Sequence, residues 1–261
     1  MKKRRSRIKM RKGVYILPNL FTTGNLFFGF WAIVSVFQEQ FEYAAMAILL
    51  ACIFDVLDGK VARLSGATSK FGVQYDSLAD LASFGVAPAL LAFSWALRPY
   101  GRFGWLAAFL FVVCGALRLA RFNVMAASGD TKYFKGLPIP AAASMIALTI
   151  LLYLRLIETG WVKDIVILVM IYILAFLMVS AIRYFSFKEF GLARRKPFNI
   201  FMFVVLMMIL IVMEPVIVLF GFVLLYVFSG PVGMVLAWHK KKAFKKLGHL
   251  PTEDKATEVH Q

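Results

Sequence analysis

Two cysteines and three histidines are all that the 261 residues supply. Cys52 and Cys114 both fall inside apolar runs, where a disulfide has no support and packing as a small apolar side chain is the default role. His239, His249 and His260 sit in or near the C-terminal tail, so a histidine-based mechanism has no support. Charge is scarce too: 17% of residues are charged against 61% hydrophobic, which sets a soluble globular domain aside in favour of a membrane protein. Acid is the scarcer sign, with 14 Asp and Glu against 30 Lys and Arg, a net charge of +16. On a soluble protein that excess would point to nucleic acid. These cations lack the interleaved aromatics of a base-stacking platform, so no nucleic-acid partner is expected, and anionic lipid headgroups are the expected contacts. No small-residue cleavage site follows the first apolar run, so MKKRRSRIKMRK reads as a retained topogenic signal. Internal repeats and low-complexity stretches are absent.

What is abundant is apolar chain. A hydrocarbon core needs about 20 apolar residues per helical span, and eight segments qualify or come close: 16–37, 41–57, 77–97, 103–122, 138–157, 163–182, 197–213 and 215–237. Threading these from a cytoplasmic N-terminus puts 26 of the 30 positive residues on one side. Only Arg98, Arg102, Arg155 and Lys163 fall on the other, the asymmetry that the positive-inside rule describes. The sequence therefore predicts an all-α, polytopic membrane bundle of about eight transmembrane helices with both termini in the cytoplasm. Residues 1–15 form a basic cytoplasmic segment, 16–237 the membrane domain and 238–261 a basic tail. Within the tail, WHKKKAFKKLGHL at 238–250 reads as an interfacial helix.

Four aspartates interrupt this apolar pattern within DVLDGKVARLSGATSKFGVQYDSLAD. An ionised side chain in a bilayer centre costs about 2.5–3.5 kcal/mol, so they call for a reason. Asp55 and Asp58 stand three apart at the close of the second span, and Asp76 and Asp80 four apart at the opening of the third. Either spacing puts two carboxylates on one helical face. Like charges that close repel unless a cation lies between them. Hard divalent ions such as Mg2+ take carboxylate oxygens and complete their shell with water and substrate phosphate, and a pair of such ions can clamp an in-line phosphoryl displacement. The residues between fit a diphosphate: Gly59 and Gly72 clear space, Ala62 is small, and Arg63 offers a planar fork. A structural alternative makes the aspartates helix caps and turn formers.

The string D-x2-D-G-x2-A-R-x8-G-x3-D-x3-D, through Asp55, Asp58, Gly59, Ala62, Arg63, Gly72, Asp76 and Asp80, resembles without a gap the signature of the CDP-alcohol phosphatidyltransferase family. That resemblance implies a six-helix membrane core, here with two further spans, that passes a phosphatidyl group from a CDP-linked lipid to a small alcohol and releases CMP. It also implies two divalent cations, Mg2+ or Mn2+. Asp55, Asp58 and Asp76 match family metal ligands, Asp80 matches a residue that is both ligand and general base, and Gly59, Ala62 and Arg63 match positions lining the nucleotide. A homodimer is implied in the same way.

The acceptor must be read elsewhere. Arg118 and Arg121, three apart and followed by Asn123, make an anion site for a carboxylate or a phosphate, or else two arginines that snorkel to headgroups. Lys135, and with it Lys132, could assist in binding phosphate. PNLFTTGNLFFGF, DSLADLASFGVAPA, LRLARFN and FKGLPIPAAA resemble the membrane-integral, serine-using branch of the family over about the first 145 residues. The branch resemblance implies CDP-diacylglycerol and L-serine as substrates, at the cytoplasmic face of the inner membrane. Glycerol-3-phosphate or inositol phosphate is the alternative acceptor, and a cation transporter the alternative from another class. Asn19, Thr22 and Asn25 recur every three residues on one face of the first span. They could bond the nucleotide, or form a polar seam against neighbouring helices.

Overall fold

The computed structural model describes residues 16–65, 69–127, 136–157, 165–182, 184 and 197–247. All regular structure among them is helical. α1 (Ile16–Phe37), α2 (Phe41–Ser65) and α3 (Lys70–Asp80) are followed by a π-helical segment, Leu81–Val86, and α4 (Ala87–Ala92). A second π segment, Phe93–Leu97, and one 3-10 turn, Arg98–Tyr100, complete that rod. Then come α5 (Arg102–Ala127), α6 (Ile139–Ile157), α7 (Ile165–Val179), α8 (Pro197–Met213) and α9 (Pro215–Leu247).

Among the described residues, five helical stretches are long and apolar enough to cross a membrane: Pro18–Phe37, Phe71–Tyr100, Arg102–Met125, Ile139–Leu156 and Pro215–Val235. Ile165–Val179 is apolar but shorter. These mark an integral membrane protein, and they account for the inverted surface: Phe37, Phe103, Phe176 and Val212 are exposed, where a soluble fold would carry charge. Each of the eight expected spans corresponds to a helix, but the boundaries differ. The segment 58–76, expected as a loop, is mostly helical, because α2 runs on to Ser65 and α3 begins at Lys70. Hydrophobicity marks where lipid ends; a helix goes on past that point as long as its backbone hydrogen bonds do. For the same reason α5 carries on through Arg121 and Asn123, and 238–247 continues α9 instead of starting a separate interfacial helix.

The core that positions the site is small-residue packing. Ala32, Ala44, Ala45, Ala47 and Ala51 are buried where α1 lies along α2, which lets the two backbones approach closely. α1 also contacts α3 and the first π segment. There Gly29 is required: a Cβ at this position would stand 2.1 Å from Ser83 Oγ and 2.7 Å from Ser83 Cα. Gly29→Ala is therefore expected to destabilise the fold by about 1–3 kcal/mol, the cost of overpacking, read as a lowered thermal midpoint in detergent. An unchanged midpoint would mean that the contact yields easily. Ahead of α6, Gly136 has φ +88 and donates to Ile182 O at 2.8 Å, while Leu137 N reaches Leu177 O at 3.0 Å. This joint fastens the start of α6 to the end of α7.

Candidate active site

α3 is capped by Ser69, whose Oγ accepts from Gly72 N at 2.9 Å. The cap is thus a serine, and Asp76 and Asp80 lie inside the helix while Asp55 and Asp58 lie inside α2. Asp80 precedes the π segment without a side-chain capping bond, and none of the four aspartate side chains caps a helix among the described residues, so the capping explanation fails. Instead the second half of α2 and the second half of α3 come together, where Asp55, Asp76 and Asp80 each present an oxygen within 4.8 Å of the others.

That donor set fits a hard divalent cation. Around Mg2+ at about 2.1 Å, adjacent oxygens sit about 3.0 Å apart and opposite ones about 4.2 Å, within the span of the three carboxylates. Without a cation, three carboxylates this close in a poorly solvated setting repel one another strongly.

Asp58 stands slightly apart. It is 7% exposed, and its Oδ2 accepts from Thr22 Oγ1 on α1. Asp80, 8% exposed, accepts at Oδ1 from Asn25 Nδ2, 3.0 Å away. Asn19 Oδ1 lies beside the opening of α3, 3.4 Å from where a Cβ on Gly72 would be. The stripe of α1 thus runs along both carboxylate-bearing helices, and Thr23 Oγ1 adds a contact to Tyr75 OH at 3.0 Å.

Gly59 and Ala62 are half-buried on α2, on the turns after Asp58. Arg63 belongs to α2, and its side chain lies outside the described residues, as do Lys132 and Lys135. Arg118 projects from α5, half-buried, within electrostatic reach of Asp55 and Asp80. Its Nε is buried and has no hydrogen-bond partner among the described residues. Arg121 is exposed, so the two arginines are not equivalent. Asn123 donates from Nδ2 to Ser77 Oγ at 2.9 Å, tying α5 to α3.

Two participants had no signal in the sequence. Ser83, in the π segment, donates to the backbone oxygen of Asn25 at 3.0 Å. Tyr226 on α9 comes within electrostatic reach of Arg118, its ring tilted 41° at 5.6 Å against that of Tyr184, whose hydroxyl donates to Val227 O at 3.3 Å. A lone serine and a lone tyrosine in apolar helices look like packing.

Fold and site together define a class: an all-helical membrane protein with a carboxylate cluster shared by two consecutive helices. Residues 15–171 match the profile of the CDP-alcohol phosphatidyltransferase family. The chain belongs to that family, and is a transferase. It is 39% identical over 217 residues to the CDP-diacylglycerol–serine O-phosphatidyltransferase of Helicobacter pylori, covering 83% of this chain and 90% of the relative. It is 41% identical over 144 residues to the protein of that name in Saccharomyces cerevisiae, half of this chain and 51% of the relative. The archaetidylserine synthase of Methanothermobacter thermautotrophicus is 39% identical over 170 residues, 64% of this chain and 69% of the relative.

Proposed function

We propose that this chain transfers the phosphatidyl group of CDP-diacylglycerol to L-serine, yielding phosphatidylserine and CMP. The observation that carries the reading is the convergence of Asp55, Asp76 and Asp80 within a chain whose relatives in Helicobacter pylori, Saccharomyces cerevisiae and Methanothermobacter thermautotrophicus bear serine in their names. The family domain is taken as 16–237, with eight spans, cytoplasmic flanking segments 1–15 and 238–261, and its site at the cytoplasmic face of the inner membrane. A homodimer is the expected assembly.

Asp80 takes the proton of the serine hydroxyl. The serine oxygen then bonds to the phosphorus that carries diacylglycerol, and the bond from that phosphorus to the CMP oxygen breaks, so CMP leaves with the electron pair. A single displacement suffices, since the motif holds no serine, cysteine or histidine placed as a covalent nucleophile. Asp55, Asp76 and Asp80, with Asp58 through its second oxygen, would hold two divalent cations, Mg2+ or Mn2+. Such cations neutralise the diphosphate and the charge that builds on the transferring phosphate. Gly59, Ala62, Arg63 and Gly72 form the nucleotide side. Arg118 takes the carboxylate of serine, where a charge-assisted pair in a partly desolvated site is strongest; Arg121 and Asn123 stand further along α5, and Lys135 is assigned to the same acceptor group.

The test is CMP release by purified protein in detergent with CDP-diacylglycerol, Mg2+ and one acceptor at a time. Release with L-serine alone is the expected result; release with glycerol-3-phosphate or inositol phosphate in its place overturns serine and keeps the family chemistry. Arg118→Ala is expected to raise the serine KM about 30-fold or more, because removing one partner of a buried charged pair costs about 2–5 kcal/mol. The KM for CDP-diacylglycerol is expected to stay unchanged.

A further inference from the structure

Two members of the polar stripe of α1, Thr22 and Asn25, lie under the carboxylates, out of reach of a substrate. Thr22 is 2% and Asn25 0% exposed, so neither presents a surface that a nucleotide or diphosphate could touch. Each instead spends a donor on an aspartate of a different helix. Thr22 Oγ1 bonds Asp58 of α2, and Asn25 Nδ2 bonds Asp80 of α3. We infer that Thr22 and Asn25 are positioning residues that fix how the carboxylates of α2 and α3 face each other. The inference rests on the role proposed above for Asp58 and Asp80.

Three observations carry it. First, the two donors are three residues apart on one rigid helix, about 4.5 Å along its axis. Because they reach different helices, that fixed interval sets the offset between Asp58 and Asp80. Fixing one oxygen of a carboxylate also fixes the direction of the other.

Second, Asn25 is itself held. Its backbone oxygen accepts from Ser83 Oγ at 3.0 Å, and the Gly29 contact brings the same serine against α1. Ser83 lies in the π segment that directly follows Asp80, so the peptide that carries the clamp is bonded to the segment next to the group it clamps.

Third, the Oδ1 of Asn25 is buried and has no hydrogen-bond partner among the described residues. An unsatisfied buried acceptor is destabilising, and a leucine here would avoid it. The amide is explained by its donor.

Partners behind a metal ligand typically change metal affinity or turnover by about 10–100-fold when removed. The experiment uses the full-length protein with Thr22→Val, Thr22→Ser and Asn25→Leu. Valine and leucine keep the shape and remove the donor, while serine keeps the hydroxyl. For Thr22→Val and Asn25→Leu, kcat is expected to fall about 10–100-fold with both KM values within about 3-fold of wild type. Mn2+ binding, followed by electron paramagnetic resonance without substrate, is expected to weaken about 10-fold. Thr22→Ser should restore both readouts to within about 3-fold, and a thermal melt identifies any variant that fails to fold; the Thr22 pair carries the test if Asn25→Leu does.

Unchanged kcat and Mn2+ binding in folded Thr22→Val overturn the inference. So does a raised KM for CDP-diacylglycerol at intact kcat, which would make the stripe a nucleotide contact. Use of another acceptor by the wild-type enzyme would overturn serine alone, and the same comparison run with that acceptor still decides the positioning role.

Discussion

Asp80→Asn is expected to lower CMP release about a thousandfold, within the range over which a positioned base contributes, while the protein remains folded. The amide matches the carboxylate in shape, so the packing of α3 and the first π segment against α1 has no reason to change. What is lost is the acceptor for the serine proton, and with it one of the three oxygens that converge between α2 and α3. Turnover within a few fold of wild type would remove Asp80 from the chemistry. A full loss of activity together with a collapsed thermal midpoint would instead make it structural. Steady-state CMP release and a thermal melt on the same preparation separate these results.

Chelation is expected to have an effect of similar size. Protein stripped with EDTA should release CMP only at background level and recover with Mg2+ or Mn2+. The same titration has a readout independent of catalysis. A ligand that binds the folded state alone stabilises it by about 2.7 kcal/mol at 100 times its Kd. The thermal midpoint should therefore rise by several degrees as Mn2+ saturates Asp55, Asp76 and Asp80. Asp55→Asn and Asp76→Asn should each weaken that rise. A midpoint indifferent to Mn2+, with turnover that survives EDTA, would leave the carboxylate cluster without a cation to hold.

The aspartates were legible in the sequence because their cost is so visible: an apolar chain makes Asp55, Asp58, Asp76 and Asp80 stand out, and spacings of three and four place each pair on one face. Helix number and order followed from hydrophobic length in the same way. Helix ends did not, since neither Ser65 nor Lys70 is apolar and the hydrogen-bond ladder crosses the lipid boundary without a compositional mark. The stripe Asn19, Thr22 and Asn25 was visible as a stripe. Its direction was not, because the same three residues read equally well toward a ligand or toward another helix; the contacts of Thr22 with Asp58 and Asn25 with Asp80 depend on how three helices pack. Arg118 and Arg121 were a symmetric pair by spacing, and the packing of α5 makes one half-buried and leaves the other exposed. Tyr226 could not have been found, since its approach to Arg118 depends on how α9 packs on α6, long-range information that no local pattern carries.

The wide turns of Leu81–Val86 give the rod a memory of phase. Each residue of an α-helix advances the side-chain direction by about 100°, and a π turn absorbs one extra residue without breaking the rod. Asp76 and Asp80 on one side of that surplus, and the buried Ala87, Leu91 and Trp95 on the other, are therefore aimed by chain length as well as by residue identity. Gain of one further residue there, with the π turns already holding their surplus, would leave composition, hydropathy and helicity almost untouched. It would swing the two aspartates about a quarter-turn away from Asp55, so in this stretch the count of residues is itself part of the site.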